Sequence, residues 1–125
     1  MSGARRKARR RAVEVLYEAE LRSISVAEVI ERRRAQPEPP INEFTEHLAA
    51  AVDERRERID ALLNDYAIGW TLDRMPVVDR NILRMGAYEL LWAADIPDGV
   101  AISEAVAVAR ERSTDESPTF INGLL

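Results

Sequence analysis

The chain has 125 residues, of which 46% are hydrophobic and 32% charged, a globular balance with room for one domain and a real core. There is no cysteine, so disulfides, zinc–thiolate sites and a cysteine nucleophile are excluded. The net charge of −4 is unevenly placed: Arg5, Arg6, Lys7, Arg9, Arg10 and Arg11 are six of the 18 basic residues and precede the first acid, Glu14, which leaves 12 bases against 22 acids in the remainder. A basic end on an acidic body points to a local anionic partner, most often nucleic acid. No apolar run follows the early cations, so no signal peptide is expected, and a cytoplasmic location is.

Residues 4–23 read as the first helix. Ala8, Ala12, Val15, Leu16 and Ala19 recur at helical spacing and form an apolar stripe. Beside it runs a second stripe of Arg6, Arg10, Val13 and Tyr17. Guanidinium groups that can hold phosphates, next to a ring that can stack on an unpaired base, make a platform for a single RNA strand. The alternative is a solvated helix face with Tyr17 closing the core. Six adjacent cations repel one another without a partner, which favours binding.

Ser25-x-x-Glu28 is a capping-box pattern and opens a second helix, about residues 26–35, with Val29 and Ile30 on its buried side. Pro37, Pro39 and Pro40 then forbid a helix. Asn42 or Thr45 starts a third helix that runs to about Ile68, with Phe44, Leu48, Ala51, Val52, Ile59, Leu62, Leu63 and Tyr66 at three-four spacing. Its charged middle, Asp53–Arg58, reads as a solvated face or as a bend. The only histidine, His47, lies in this helix without a thiol or a triad context, so no catalytic role is expected for it. Gly69 reads as a terminator and Trp70 as a core plug.

The stretch from Pro76 to Ala94 is apolar nearly all round, which is the mark of a helix enclosed by other helices. Five polar residues, Asp79, Arg80, Asn81, Arg84 and Glu89, interrupt it, whereas a membrane span needs ~20 mostly apolar residues. Pro76 suits the first turn, and Asp79 complements the helix dipole. Glu89 falls on an otherwise apolar side and needs a partner in this chain or another. Asp95–Gly99 turns the chain into a helix over residues 100–112, and Ser117-Pro118 starts a last short one. No strand pattern and no internal repeat is present. The expected class is all-α: a single domain of two small helical bundles packed around a central helix.

Several ordered motifs together resemble the NusB family over residues 5–125. They are the basic start ending in Ala12-Val13-x-x-Leu16-Tyr17; Trp70-x-Leu72-x-Arg74; Val78-Asp79-Arg80-x-Ile82-Leu83-Arg84 with Tyr88-Glu89-Leu90; Asp95-Ile96-Pro97; Val100-Ala101-Ile102-x-Glu104-Ala105; and Ser117-x-x-Phe120-x-Asn122-Gly123-x-Leu125. Three positions depart from the family pattern. Ser103 stands where Asn is usual, Glu116 where Asp is common, and the chain stops at Leu125 where relatives continue their last helix.

The resemblance implies an all-helical factor that binds boxA RNA together with NusE, a small-subunit ribosomal protein, and helps RNA polymerase read through ribosomal RNA operons. It places RNA contacts on Arg5, Arg6, Arg9, Arg10 and Tyr17, with Glu116 and the ring of Phe120 near the same surface. It places the NusE-facing surface on Asp79 and its neighbours Arg80 and Glu89. No catalysis, cofactor or metal is implied. Both a monomer and a homodimer that hides the RNA face remain open. Two other readings compete: the RNA-binding N-terminal part of ribosomal RNA cytosine methyltransferases, and a helical scaffold whose basic end meets DNA or an acidic protein. Against the first, the sequence has no glycine-rich loop; against the second, no short turn leads into a recognition helix.

Overall fold

The structure, a computed structural model, describes residues 2–35, 42–66 and 72–112. Six α-helices follow in order: α1 (Ser2–Arg22), α2 (Val26–Arg34), α3 (Glu43–Glu54), α4 (Arg56–Tyr66), α5 (Val77–Trp92) and α6 (Asp98–Arg112). One 3-10 turn, Leu72–Arg74, precedes α5, and the described residues contain no strand. The all-α class is therefore observed.

Helix ends are set by local chemistry. Ser23 takes a left-handed φ of 56° after α1. The Ile24 amide donates to Ala19 O at 3.0 Å and the Ser23 amide to Glu20 O at 3.3 Å, a Schellman closure with a serine where glycine is usual. Ser25 Oγ accepts the Glu28 amide at 3.0 Å and opens α2, as its capping pattern predicts. The Glu28 carboxylate turns instead to Arg32, at 2.9 Å. Asn42 Oδ1 accepts the Thr45 amide at 2.8 Å and opens α3.

The third predicted helix is two helices. Arg55, with φ −107° and ψ 14°, interrupts it, and its amide turns back to Val52 O at 3.2 Å. The charged run Asp53–Arg58 is thus a bend rather than a continuous solvated face. The bend lets α3 lie on α1 while α4 packs on α5.

α1, α2 and α3 pack on one another; α4 and α6 pack on α5. α5 also lies against α1 and α3, so a single core crosses both groups. Every residue from Asn81 to Glu89 is buried, as expected for a helix surrounded by others. Ile82, Leu83 and Met85 are fully enclosed, against Val13, Val15, Leu48, Val52, Ile59 and Val108 in the same core. Full burial of one such side chain contributes roughly 1.5–3 kcal/mol.

Polar side chains enclosed with this core are all partnered: among the described residues no buried side-chain nitrogen or oxygen lacks a hydrogen bond. Arg84 shows how. Its guanidinium donates to both Asp60 oxygens at 2.7 and 3.0 Å, to Glu20 Oε1 at 2.8 Å and to Asn81 Oδ1 at 3.1 Å. One side chain of α5 therefore ties α1 to α4.

Candidate nucleic-acid interface

α1 carries the basic run, and its amphipathic phase decides which cations face water. Ala8, Ala12, Val15, Leu16 and Ala19 are buried, as the apolar stripe predicts. The second stripe is divided rather than continuous. Val13 is in the core, Tyr17 is half-buried, and Arg6 and Arg10 are half-exposed. Arg5 and Lys7 are exposed.

Arg9 stands apart from its neighbours. It is 3% exposed, and it donates to both oxygens of Glu89, from Nε at 2.8 Å and from NH2 at 3.1 Å. Its NH1 also reaches Glu104 at 3.5 Å. The partner that Glu89 requires is therefore in this chain. Two expected contacts are corrected in consequence. Arg9 does not present its guanidinium to an outside phosphate, and Glu89, wholly enclosed, presents no surface to a partner protein.

The outer arginines are held at the edge of this buried pair. Arg6 donates to Glu104 from Nε at 3.2 Å and from NH2 at 2.9 Å. The Glu104 carboxylate raises the Arg6 pKa, by hydrogen bonding first and charge second. Arg10 NH1 meets Glu111 at 2.8 Å. Arg5 lies with its guanidinium 4.2 Å from the centre of the Phe44 ring, at the start of α3. Glu104, Glu111 and Phe44 were missed by sequence reasoning as functional neighbours, since each lies far along the chain from the cation it touches.

The other predicted site residues fall as follows. Asp79 is 6% exposed near the start of α5. Arg80 is largely enclosed, with its side chain 15% exposed; it pairs with Glu20 and donates to Met75 O at 2.9 Å and Leu72 O at 3.3 Å. Burial, and then the neighbouring Arg84 charge, lower the Arg80 pKa from its ordinary value. Glu116 and Phe120 lie outside the described residues, as do Gly69, Trp70, the prolines at 37, 39 and 40, and the Ser117-Pro118 helix start. His47 is exposed on an open groove of about 770 Å³ between α2 and α3 whose rim includes Glu31, Glu43, Glu46, Asp53 and Glu54. That largely acidic rim opposes phosphate binding there. Among the described residues no cluster of His, Asp and Glu is arranged to hold a metal ion, and no helix is long and apolar enough to cross a membrane.

An all-helical body with a cation-bearing first helix and a wrapped central helix defines a class of small helical domains with a basic edge. The NusB family model matches residues 6–125, and the chain belongs to the NusB family. It is 78% identical to the transcription antitermination protein NusB of Thermobifida fusca over 123 residues, 98% of this chain and 87% of that protein. It is 52% identical to the protein of the same name from Kineococcus radiotolerans, over 98% of this chain and 90% of that one. Among solved structures it is similar to NusB of T. maritima, with a TM-score of 0.84 and 32% identity over 96% of this chain and 86% of the other. It is also similar to a chain from a crystal structure of the antitermination factors NusB and NusE in complex with dsRNA. There the TM-score is 0.79 and the identity 26%, over 99% of this chain and 94% of the other.

Proposed function

We propose that this protein is a transcription antitermination factor that binds boxA RNA of ribosomal RNA operons jointly with NusE, without catalysis, as part of an RNA polymerase antitermination complex. The observation that carries this reading is the edge of α1, where Arg5, Arg6, Lys7 and Arg10 reach solvent on an otherwise acidic body. Family membership and the similarity to a chain of a NusB–NusE complex with dsRNA support it.

In this reading Arg5, Arg6 and Arg10 neutralise phosphates, and Tyr17 supplies a ring for an unpaired base or sugar. Glu116 and Phe120 belong to the same proposed surface. Arg9 contributes from inside, by fixing α1 against α5 and α6. On the NusE side, Asp79 and Arg80 remain the candidates, Arg80 with part of its side chain at the surface and Asp79 nearly enclosed, while Glu89 acts only through Arg9. A homodimer that covers the RNA edge is the competing assembly, and mass in solution, alone and with NusE and RNA, separates the two.

Titration of boxA RNA with the protein, with and without NusE over a salt series, tests the reading. The expected result is RNA binding by the pair that weakens steeply as salt rises. No RNA affinity for the pair, or a flat salt response, overturns it. Preference for duplex DNA over boxA RNA would favour the scaffold reading instead, and methyl transfer would favour the methyltransferase one.

A further inference from the structure

We propose that Glu111 on α6 is an intramolecular stand-in for RNA phosphate and sets RNA affinity by competing for Arg10. The inference rests on the RNA-binding reading above and adds to it a determinant outside the basic helix.

Arg6, Arg9 and Arg10 of α1 meet carboxylates of α5 and α6 in the free protein. Arg6 takes Glu104 through two N–H bonds, Arg9 takes Glu89 and Glu104, and Arg10 takes Glu111 at 2.8 Å. The pairing follows helix geometry. Arg6 and Arg10 lie one turn apart on α1, and Glu104 and Glu111 lie about two turns apart on one side of α6. The two helices lie against each other, so the arginines face the acids. To a guanidinium, a carboxylate and a phosphate offer the same thing: oxygen acceptors bearing negative charge, met by a planar fork of donors. Where a carboxylate can move aside, its place is therefore one a phosphate oxygen can take.

The two acids differ in whether they can yield. The Glu104 side chain is 7% exposed and is shared with buried Arg9, so releasing it would leave a buried cation short of a partner. The Glu111 side chain is 39% exposed and Arg10 27%, so Glu111 can rotate into water and leave Arg10 to the RNA. Recruiting Arg10 thus costs one ion pair. A polyanion that makes only diffuse contacts gains little from that exchange. An RNA that also engages Arg5, Arg6 and Tyr17 gains enough to displace the acid. Glu111 accordingly raises selectivity while lowering affinity.

Salt dependence gives this exchange a signature. A phosphate that pairs with Arg10 releases its condensed counterion. The freed Glu111 carboxylate attracts a cation in turn, and the two effects partly cancel. Without the carboxylate only the release remains.

The test is boxA RNA binding by the full chain with NusE, over a salt series, for the unaltered protein, Glu111→Gln, Arg10→Gln, the double variant, and Glu31→Gln. Glu31 is an exposed acid on α2 paired with Arg34 and takes no part in the pairs between α1 and α6. Glu111→Gln is expected to bind roughly two- to fivefold tighter, the range set by an exposed ion pair, with a steeper salt slope. The gain should vanish in the Arg10→Gln background, and Glu31→Gln should change nothing. Unchanged or weaker binding by Glu111→Gln overturns the proposal, and so does a gain that survives Arg10→Gln or is matched by Glu31→Gln. If the unaltered protein binds no RNA, the RNA reading falls and takes this inference with it. If it binds and Glu111→Gln does not respond, only this inference falls.

Discussion

Arg9 and Glu89, 80 residues apart in the chain, face each other through two hydrogen bonds of 2.8 and 3.1 Å, with side chains only 4% and 0% exposed. An enclosed ion pair need not be worth more than an apolar pair of the same volume, but breaking one half leaves a charge without water or partner. Glu89→Ala is therefore expected to lower unfolding stability by about 3–5 kcal/mol, with Glu104 alone left to meet Arg9. Replacing both residues, by Arg9→Met with Glu89→Leu, should recover most of that loss. Denaturant midpoints of the two variants and the parent check this. A single variant within ~1 kcal/mol of the parent would show that the pair is not holding α1 to α5.

The same helix carries cations of a different kind, and stability and binding should separate along it. Arg5→Gln and Arg10→Gln change side chains with access to water, so unfolding stability should stay within ~0.5 kcal/mol. Arg5→Gln should shallow the logarithmic salt dependence of RNA binding by roughly 0.7, the value for one phosphate contact on a single strand, and Arg10→Gln by less, because the Glu111 carboxylate that Arg10 leaves takes up a cation. Arg9→Gln should do the reverse, with a clear loss of stability at α1's junction with α5 and α6. An Arg9→Gln variant that folds as the parent does but loses one phosphate contact would return Arg9 to the RNA surface.

That contrast shows what was legible in the sequence. The six cations look alike in composition, and a resemblance assigns Arg9 and Arg10 together. Helical phase distinguishes them: Arg9 precedes Ala12, Val13 and Leu16 by three, four and seven residues, which puts it on the buried side. Glu20 follows Leu16 and Val13 by four and seven in the same way, and it meets Arg80, Asn81 and Arg84 in the core. The need of Glu89 for a partner was readable, since a carboxylate on an apolar side cannot be left alone. Which residue supplies it was not, because no local pattern joins positions 80 residues apart. The bend at Arg55 was half-legible. Apolar spacing continues on both sides of it, and charged residues at a break look like those on a solvated face.

Ser23 offers a test of local backbone chemistry independent of function. Its φ of 56° is a conformation that an L side chain adopts at a cost of about 1 kcal/mol and glycine adopts freely. The side chain is exposed, so little packing is lost on its removal. Ser23→Gly should raise unfolding stability by about 0.5–1 kcal/mol despite the extra freedom of the unfolded chain. A fall in the denaturant midpoint would mean that the serine hydroxyl contributes more than its backbone costs.

Arg84 separates charge from geometry. An ammonium at this position would keep the charge that Asp60 and Glu20 require. It cannot, however, meet both Asp60 oxygens, Glu20 and Asn81 at once, because its donors radiate from one atom rather than from a planar fork. At least one enclosed acceptor would be left without a donor, at about 1–3 kcal/mol. Arg84→Lys is therefore expected to lower unfolding stability by about 2 kcal/mol, while far-ultraviolet circular dichroism stays that of the parent. The loss should be smaller when Asp60→Asn is already present, because the lysine then has one fewer charged acceptor to satisfy. If Arg84→Lys is as stable as the parent, then net charge alone joins α1, α4 and α5, and the directed hydrogen bonds of the guanidinium add nothing to that joint.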